Sequence, residues 1–246
     1  MKKKLHLPNV TLLSAASSSE LLATSPSDEV DMTQLALKIS LKEIEFGSVK
    51  LLSSEPPKEK YSNIEYISIP PMNNISDYSR FIIEDLHKYF KTTHCLIIQS
   101  DSWVVDSNNW KNKFLEFDYI GAPWTSKIQI SPKLVLNLKK NIVGNGGFSL
   151  RSQKLVETTS KLNFDSLKFP YKNEDVIICH YLYNEMVNSG INFAPPKIAA
   201  QFSMEDEKTN NSFGYYANSV FGFHGKHLRN YFLNKYVLRE KSGEWY

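Results

Sequence analysis

The chain has 246 residues, of which 41% are hydrophobic and 22% are charged, and these values are ordinary for a globular protein. Such a length suffices for one large α/β domain or two small ones, and it can bury a core without disulfides or a structural metal. The net charge of +3 is too small to indicate nucleic-acid binding, and no DNA- or RNA-binding motif occurs.

The first residues, MKKKLHLPNVTLLSAASSS, superficially resemble a signal peptide. His6, Pro8 and Asn9 interrupt the apolar patch, so a first strand is the better interpretation. The run Lys2-Lys3-Lys4 would give only weak attraction to an anionic membrane surface. No apolar run approaches the roughly 18 residues of a membrane span. We therefore expect no transmembrane segment and at most a peripheral association with the inner membrane face.

Cys95 and Cys179 are the only cysteines, and each lies in an apolar run. This pattern is typical of buried free thiols, and no Cys/His spacing of the metal-binding type occurs. Unpaired cysteines agree with the reducing environment of the cytoplasm.

The order of hydrophobic patterns predicts strands alternating with helices, which favours an α/β fold with a largely parallel sheet. Strands are predicted at residues 10–15, 49–52, 64–69, 95–98 and 147–150, and residues 117–124 are predicted as a strand that runs into a Gly/Pro turn. Helices are predicted at residues 32–44, 77–90, 108–115, 153–162, 176–189 and 228–237. Residues 17–31 and 208–211 are predicted as loops, residues 134–142 as a short helix or irregular segment, and residues 191–196 as extended.

The segment 92–101 is central to this pattern. Its apolar run, residues 95–98, predicts a strand buried on both faces, and the run ends abruptly in Gln99-Ser100-Asp101. Ligands of open α/β sheets bind beyond the carboxyl ends of the strands, so Asp101 is well placed to hold a metal or a ligand hydroxyl. The alternative is that Asp101 only caps a turn.

Three further places carry candidate chemistry. The glycine-rich run at residues 144–147 would allow close backbone approach, although it is also typical of a tight turn, and the GxxxxGK[ST] phosphate-binding pattern is absent. Glu174 and Asp175 open a helix, where acidic residues also simply favour the helix dipole. His224 lies between glycines and aromatic residues, which leaves room for a ligand, although a lone histidine is more often structural.

Several separated motifs occur in one order: Tyr78-Ser79-Arg80, IIQSDSW, FDYIGAPW, GNGGFSLRS, NEDV, FAPP followed by AAQFSME, and FGFHG. Together they resemble a largely uncharacterised family of glycosyltransferases with the GT-A fold, over about residues 10–225. The resemblance implies a single GT-A-like domain at residues 1–246, with a mostly parallel central sheet flanked by helices. It also implies a donor-binding half at about residues 9–125 and an acceptor or catalytic half at about residues 126–246.

In GT-A enzymes an Asp-x-Asp motif at a strand end holds the divalent metal and the donor ribose. The resemblance places Gln99-Ser100-Asp101 at that position, with an amide in place of the first carboxylate. Asp101 is then expected to hold Mn²⁺ or Mg²⁺, with His224 as a second ligand, and imidazole suits Mn²⁺ better. Gln99 could instead bond the ribose.

By the same resemblance, Asp175 is expected to act as the catalytic base, with Glu174 as its neighbour or as a ligand of the acceptor hydroxyl. Repulsion between the two carboxylates would raise one pKa and help a base act near neutrality. The remaining assignments follow from the same motifs. Donor contacts are expected from Ser100, Gly146, Gly147 and Lys226, sugar or acceptor contacts from Trp124 and Asn145, and a phosphate-binding or structural role for Arg151.

These assignments predict transfer of a sugar from a nucleotide-diphosphate sugar, with a UDP-sugar favoured, to a hydroxyl acceptor in glycan or surface-polysaccharide synthesis. The reaction is expected to be inverting and metal-assisted. Two alternatives stay open. One is a non-catalytic nucleotide-sugar-binding protein, and the other is a metal-dependent hydrolase that uses Asp101, Glu174, Asp175 and His224.

Overall fold

The structure is a computed structural model that describes residues 4–16, 26–131, 134–138 and 141–242. Its strands are β1 (Leu5–Ala15), β2 (Ile44–Ser53), β3 (Glu65–Ser68), β4 (His94–Ile98), β5 (Ser102–Val104), β6 (Tyr119–Ile120), β7 (Lys127–Ser131), β8 (Leu134–Asn137), β9 (Phe148–Ser152), β10 (Ser203–Met204) and β11 (Gly222–His224). Its α-helices are α1 (Pro26–Ser40), α2 (Ile75–Arg80), α3 (Gln153–Thr159), α4 (Glu174–Val176), α5 (Tyr183–Asn188), α6 (Pro196–Phe202), α7 (Glu207–Ser212) and α8 (Lys226–Ser242).

A six-stranded sheet in the order β3-β2-β1-β4-β9-β6 forms the centre of the molecule. The pairs β3–β2, β2–β1 and β1–β4 are parallel, whereas β9 runs antiparallel to both of its neighbours. The predicted α/β class with a mostly parallel central sheet is therefore confirmed. Parallel strands need crossovers through helices, and the carboxyl ends of β1, β2 and β4 consequently lie at one edge.

The sheet separates two hydrophobic clusters, because alternate side chains of a strand point to opposite faces. On β4, Leu96 and Ile98 belong to one cluster, whereas Cys95 and Ile97 belong to the other. All four side chains are fully buried. The predicted strand of residues 95–98, buried on both faces, is thus confirmed, and the two cysteines are buried free thiols as expected.

A smaller sheet in the order β10-β11-β5 packs beside the central one. Strand β5 is antiparallel to β11, with Trp103 opposite Phe223, and the two rings pack edge to face with centroids 4.7 Å apart. This aromatic contact joins segments that are 120 positions apart in the sequence. It fixes the end of β11 beside the turn that follows β4.

Helix boundaries differ from the predicted ones in several places. Helix α1 starts at Pro26, inside the predicted loop, and it ends at Ser40. Ile44, the last residue of the predicted helix, is instead a fully buried residue of β2. The predicted helix at residues 77–90 starts two residues earlier, where the side chain of Asn74 accepts a hydrogen bond from Asp77 N–H. It then continues through a π-helical turn and a 3-10 turn to Lys88.

Other segments were predicted as the wrong type. Residues 134–137 form a strand that pairs with β7, rather than the predicted short helix or irregular segment. The predicted polar loop at residues 208–211 lies within α7, which the Asp206 side chain caps. The predicted helix at residues 108–115 is a pair of 3-10 turns, Ser107–Asn109 and Asn112–Glu116. Within residues 117–124, predicted as a strand that runs into a Gly/Pro turn, the strand is the two-residue β6.

The predictions for Lys2, Lys3 and most of the predicted loop at residues 17–31 lie outside the described residues. Among the helices that are described, none combines the length and the apolar character that crossing a lipid bilayer requires.

Candidate functional site

The turn after β4 carries Gln99, Ser100 and Asp101 at the carboxyl edge of the sheet. The Ser102 hydroxyl accepts a hydrogen bond from Gln99 N–H at 2.7 Å and donates to the Gly147 carbonyl at 2.7 Å. Ile98 pairs with Phe148 in the antiparallel β4–β9 ladder. The turn is therefore attached to the glycine-rich loop, which we define as Gly144–Gly147.

His224 lies beside Asp101 because β11 pairs with β5, which puts His224 directly opposite Ser102. The Gly225 N–H donates to the Asp101 carbonyl at 3.2 Å. His224 Nε2 lies 3.5 Å from Asp101 Oδ1 and 3.1 Å from Gln99 Oε1. Two oxygen atoms and one ring nitrogen thus converge at the rim of the sheet.

The other ring nitrogen of His224 has two partners. Glu205 Oε1 lies 3.5 Å from Nδ1, and Asn145 Nδ2 lies 2.9 Å from it. Burial alone would lower the pKa of His224, but the bond to Glu205 and the charge of Asp101 raise it to about 9. Burial alone would raise the pKa of Glu205, and the same bond to His224 holds it below its usual range.

The glycine-rich loop is shaped by the side chains that pack onto it. A Cβ atom on Gly147 would lie 2.2 Å from His224 Nε2, and one on Gly146 would lie 1.9 Å from Glu174 Oε1. Asn145 has a positive φ of 59°, and its Oδ1 accepts hydrogen bonds from the N–H groups of Gly147 and Phe148. Glycine is thus required at positions 146 and 147, because Glu174 and His224 lie where the Cβ atom of any other residue would be.

Asp175 contacts the same loop at Gly146, the residue before the one that His224 covers. Its Oδ2 accepts a hydrogen bond from Gly146 N–H at 3.1 Å, and its Oδ1 accepts one from Val176 N–H at 2.8 Å. Burial, and then the neighbouring charge of Glu174, raise the pKa of Asp175 to about 7. Asp101, His224 and Asp175 are therefore brought together around one loop, with a carboxyl group that titrates near neutrality.

Glu174 points into the protein, where it forms a buried ion pair. Arg151 Nη2 donates to Glu174 Oε1 at 2.7 Å, and both side chains are at most 5% exposed. Arg151 Nε also donates to Ser149 Oγ, and the Glu174 N–H donates to Ser79 Oγ. Arg151 therefore has the structural role that was one of its two predicted roles, and Glu174 anchors the start of α4.

Trp124 and Asn145, both predicted to contact a sugar or acceptor, lie in the interior. Trp124 is 7% exposed and its ring packs directly over Gly144, while Asn145 is 1% exposed. Both side chains are engaged with other parts of the protein. Trp124 therefore presents no open aromatic face to a sugar ring in this structure.

A cavity of about 290 Å³ lies next to Asp101. Its wall is formed by Glu29, Met32, Ser100, Asp101, Lys226, Arg229 and Asn230. Lys226 and Arg229 are three residues apart in the first turn of α8, so both project from the same face of that helix. Within the described residues neither cation is in an ion pair, and Arg229 Nε is buried without a hydrogen-bond partner. The N-terminus of a helix adds partial positive charge.

Glu29 of α1 forms part of the wall of the cavity. It is 7% exposed, and its Oε2 has no hydrogen-bond partner among the residues that the structure describes. Burial raises the pKa of this carboxyl group, a hydrogen bond from Ser100 lowers it, and the charge of Asp101 raises it further. The cavity thus has cationic groups on α8 and carboxyl groups on α1 and after β4.

The donor atoms beside Asp101 have a spacing that fits a divalent cation. Oxygen and nitrogen ligands that share an octahedral ion at 2.0–2.1 Å are roughly 3 Å apart. The distances of 3.1 and 3.5 Å from His224 Nε2 to Gln99 Oε1 and Asp101 Oδ1 are close to this value. In the described part of the chain, no group of three or more His, Cys, Asp or Glu side chains is arranged to hold a metal. A site here would therefore use the Gln99 amide oxygen and complete its shell with oxygens of a ligand.

The sequence motifs did not identify Glu205, Arg229 or Glu29 as functional residues. Glu205 ends the motif AAQFSME, but nothing local shows that β10 pairs with β11 and so brings it to His224. Arg229 lies in the helix predicted at residues 228–237, but Lys226 precedes that range, so the face that the two residues share was not apparent before α8 was seen to start at Lys226. Glu29 lies in a segment predicted as loop, which concealed its place on a helix.

Comparison with solved structures gives similarities at low identity. The bifunctional IspDF from Campylobacter jejuni matches over 75% of this chain, with 12% identity and a TM-score of 0.49. The match covers 48% of IspDF, so this chain spans about half the length of that protein. An active-site mutant of LgtC matches with 14% identity and a TM-score of 0.48, over 88% of this chain and 87% of that one. A glycosyltransferase involved in glycosylation of the major capsid of PBCV-1 matches with 14% identity and a TM-score of 0.49, over 93% and 98% of the two chains. These values are too low to establish an activity.

No curated protein matches the sequence. A family model described as "protein of unknown function (DUF5672)" matches residues 62–224. This region includes the turn after β4, the glycine-rich loop, the start of α4 and the end of β11. Since the match covers more than half of the chain, this protein belongs to the DUF5672 family.

Proposed function

We propose that this protein is a metal-assisted glycosyltransferase that moves a sugar from a nucleotide-diphosphate sugar to a hydroxyl acceptor. One observation carries the proposal. Gln99, Asp101 and His224 present converging ligand atoms beside a cavity that also contains two cations outside any described ion pair. A metal site next to a cavity with basic side chains suits a diphosphate. The negative charge of a diphosphate is neutralised partly by a divalent cation and partly by hydrogen bonds from Lys and Arg.

The diphosphate would lie against the first turn of α8. Lys226 and Arg229 face the cavity there, and the helix N-terminus favours negative charge. The buried Arg229 Nε has no hydrogen-bond partner in the described part of the protein, and it would gain one when a phosphate oxygen binds. Arg229 is thus added to the predicted donor contact Lys226.

Mn²⁺ or Mg²⁺ would be held by Asp101 and His224, with the Gln99 amide oxygen as a third ligand. The bound ion would neutralise negative charge on the leaving diphosphate, as a Lewis acid does. His224 and Gln99 both pack against the backbone of Gly147. A side chain at position 147 would displace both of them.

Asp175 is the proposed base that accepts the proton of the attacking hydroxyl group. A base acts best when its pKa is near the working pH, and that of Asp175 is raised to about 7. Glu174 raises that pKa by its charge, and its ion pair with Arg151 keeps it away from the acceptor. A direct attack assisted by one base predicts inversion at the anomeric carbon.

The two alternatives from the sequence make different predictions. A non-catalytic nucleotide-sugar-binding protein would use the cavity but would not need the raised pKa of Asp175. A hydrolase using Asp101, Glu174, Asp175 and His224 would need all four side chains at the reacting group. Glu174 is committed to Arg151 inside the protein, which favours the transferase.

The test is a binding and turnover panel. Thermal shifts of the protein are measured with UDP, GDP, CDP and dTDP, each with and without Mn²⁺, because a true ligand stabilises the folded state by mass action. The expected result is a shift with one nucleotide, with UDP favoured, that increases with Mn²⁺. The matching sugar donor should then release its nucleoside diphosphate when hydroxyl acceptors are added. Absence of a shift with every nucleotide would contradict the proposal, and binding without turnover would favour the non-catalytic alternative.

A further inference from the structure

Glu29 is a buried carboxyl group in the wall of the cavity, and neither the proposed metal site nor the proposed phosphate contacts use it. It lies in the first turn of α1. Its Oε2 is buried and accepts no hydrogen bond from the residues that the structure describes. A buried polar atom without a partner lowers the stability of the free protein. A ligand that supplies a hydrogen-bond donor would recover this loss.

The described side chains around the cavity do not supply this donor. Lys226 and Arg229 also line the cavity, but neither forms an ion pair with Glu29 in the described part of the chain, and both are the proposed partners of the phosphate groups. A second metal ion is not indicated either, because the described ranges contain no group of three or more His, Cys, Asp or Glu side chains arranged to hold one. The missing donor is therefore expected from the bound nucleotide.

The ribose is the part of a nucleoside diphosphate that best supplies a donor next to the phosphates. A carboxylate accepts hydrogen bonds and cannot donate one. UDP carries suitable donors in its two ribose hydroxyl groups and in the uracil N–H, and the hydroxyl groups are separated from the phosphates by fewer bonds. The cavity of about 290 Å³ is at the small end of ligand pockets, which span about 300–1,000 Å³. It therefore suits a diphosphate with the adjoining ring rather than a whole nucleotide sugar.

The wall of the cavity also gives the nucleotide a direction. Lys226 and Arg229 come from α8, whereas Glu29 comes from α1, so the phosphate contacts and the carboxyl group are on different helices. A diphosphate bound against α8 leaves the ribose as the next part of the ligand that can reach α1. An acidic side chain that binds a ribose hydroxyl group also occurs in other nucleotide sites of α/β folds. Gln99, whose motif position could have served the ribose, faces His224 Nε2 instead, at 3.1 Å.

We propose that Glu29 accepts a hydrogen bond from a ribose hydroxyl group of the bound nucleotide and thereby makes the cavity selective for ribonucleotides over deoxyribonucleotides. This inference rests on the proposed function, since it names the class of nucleotide that the same cavity takes. It assigns to Glu29 a role in binding and in specificity, without a part in the transfer step.

The experiment compares UDP with 2′-deoxy-UDP and 3′-deoxy-UDP by isothermal titration calorimetry, with Mn²⁺ present and no sugar donor. Burial raises the pKa of Glu29, so the titrations are done at pH 8 to keep the carboxyl group charged. For the wild type, we expect the analogue that lacks the contacted hydroxyl group to bind about 10- to 100-fold more weakly than UDP, which is the range for a hydrogen bond to a charged group. The two analogues also identify which hydroxyl group that is.

Two variants of Glu29 test whether this preference comes from its carboxylate. In Glu29→Gln the charge is lost but an oxygen remains, so the preference for UDP over the analogue should fall at least about threefold. In Glu29→Met both oxygens are lost, and the preference should disappear. Each variant should lose affinity for UDP while its affinity for the analogue changes little. A merely structural role would weaken UDP and the analogue equally, and circular dichroism would show that both variants are folded.

Asp31→Asn is the matched control, because Asp31 lies on the same helix and pairs with Lys58 outside the described wall of the cavity. This variant should keep the full preference for UDP. Pyrophosphate with Mn²⁺ is the second control, since it has no ribose. It should bind the Glu29 variants at least as tightly as the wild type, because a negative charge near the phosphates has been removed.

The outcomes distinguish two failures. If the wild-type protein binds neither UDP nor pyrophosphate in the presence of Mn²⁺, the proposed function fails and this inference fails with it. If the wild type binds UDP and both deoxy analogues equally well, only the role of Glu29 is overturned. Weaker binding of pyrophosphate to the Glu29 variants would also overturn that role, because Glu29 would then act on the metal or the phosphates rather than on the ribose.

Discussion

Asp175 and His224 pack against adjacent glycines of one loop: Gly146 N–H donates to the Asp175 carboxylate, and the His224 ring covers the Cα of Gly147. The two residues come from different segments, the start of α4 and the end of β11. The distance between Asp175 and His224 therefore depends on the backbone of Gly146 and Gly147, which are consecutive residues. A proposed base and a proposed metal ligand thus both contact the glycine-rich loop.

The first prediction concerns Asp175 itself. Asp175→Asn should reduce sugar transfer by at least about 100-fold, because the variant lacks the group that accepts the proton of the acceptor. Binding of UDP with Mn²⁺ should change little, since the donor cavity is lined by other residues. Initial rates and calorimetric affinities would be compared with those of Asp165→Asn, in which the exposed ion pair with Arg80 is altered instead. Full transfer activity in Asp175→Asn would remove this residue from the mechanism.

The second prediction is the pH dependence that follows from the pKa of Asp175. With its pKa raised to about 7, the carboxyl group keeps its proton in acid and becomes a base as the pH rises. The value of kcat/KM should therefore rise about tenfold per pH unit below pH 7 and level off above it. A profile that is flat between pH 5 and pH 8 would contradict the assignment.

The same pKa shift has a consequence for stability. The folded state holds this proton more tightly than an unfolded chain, in which an aspartate has its ordinary pKa of 3.8. The stabilisation by this group is therefore fully present below about pH 4 and is lost as the pH rises through 7. Urea unfolding of the wild type and of Asp175→Asn at pH 4 and pH 8 would show whether the variant loses this dependence.

The third prediction concerns the buried ion pair of Arg151 and Glu174. Removing one partner leaves an uncompensated buried charge, so Arg151→Met or Glu174→Gln should each lower the free energy of unfolding by about 3–5 kcal/mol. The double variant should lose less than the sum of the two, because neither charge is then left unpaired at full cost. Urea denaturation of all four proteins gives the coupling energy. Additive losses would show that the two side chains do not act as a pair.

Local patterns in the sequence predicted the parts of the fold that depend on short-range order. The apolar run of β4 and the start of α3 at residue 153, where a helix was predicted to begin, both follow from neighbouring residues. Strand β5 was not predicted, because three residues carry too little pattern and its partner β11 lies about 120 positions later. Residues 134–137 form a strand only because β7 is there to pair with them.

The candidate site shows the same division. Asp101, Asp175 and His224 could be named from motifs in which each stands next to glycine or another polar residue. The partners that define their chemistry could not be named, because Glu205 reaches His224 through a β10–β11 pairing and Arg151 reaches Glu174 across 23 positions. The burial of Trp124, which was predicted to offer a face to a sugar ring, could not be read from its motif either, since its packing on Gly144 depends on the fold of the loop.

The fourth prediction concerns the space at Gly147. In Gly147→Ala the new Cβ would lie 2.2 Å from His224 Nε2 and 2.8 Å from Gln99 Oε1, so both side chains must move. The affinity for Mn²⁺ with UDP present should fall at least about tenfold, with a loss of unfolding free energy of about 1–3 kcal/mol. Gly214→Asn is the control, because its Cβ meets nothing within 4 Å and asparagine tolerates its positive φ. Normal Mn²⁺ affinity in Gly147→Ala would show that His224 does not need its observed position.

The last prediction concerns the phosphate-binding role of the first turn of α8. Lys226→Gln and Arg229→Gln should each weaken the binding of UDP by about 10- to 100-fold, because each removes a charged hydrogen-bond donor to a phosphate oxygen. The affinity of both variants should also depend less on salt than that of the wild type, since fewer charges are screened. Lys241→Gln, at the other end of the same helix, changes the net charge equally without touching the cavity. Isothermal titration calorimetry at two salt concentrations would measure these effects. Because uridine has no phosphate, it should bind the wild type and both variants equally. If the variants lost uridine binding as strongly as UDP binding, the result would instead indicate damage to the whole cavity.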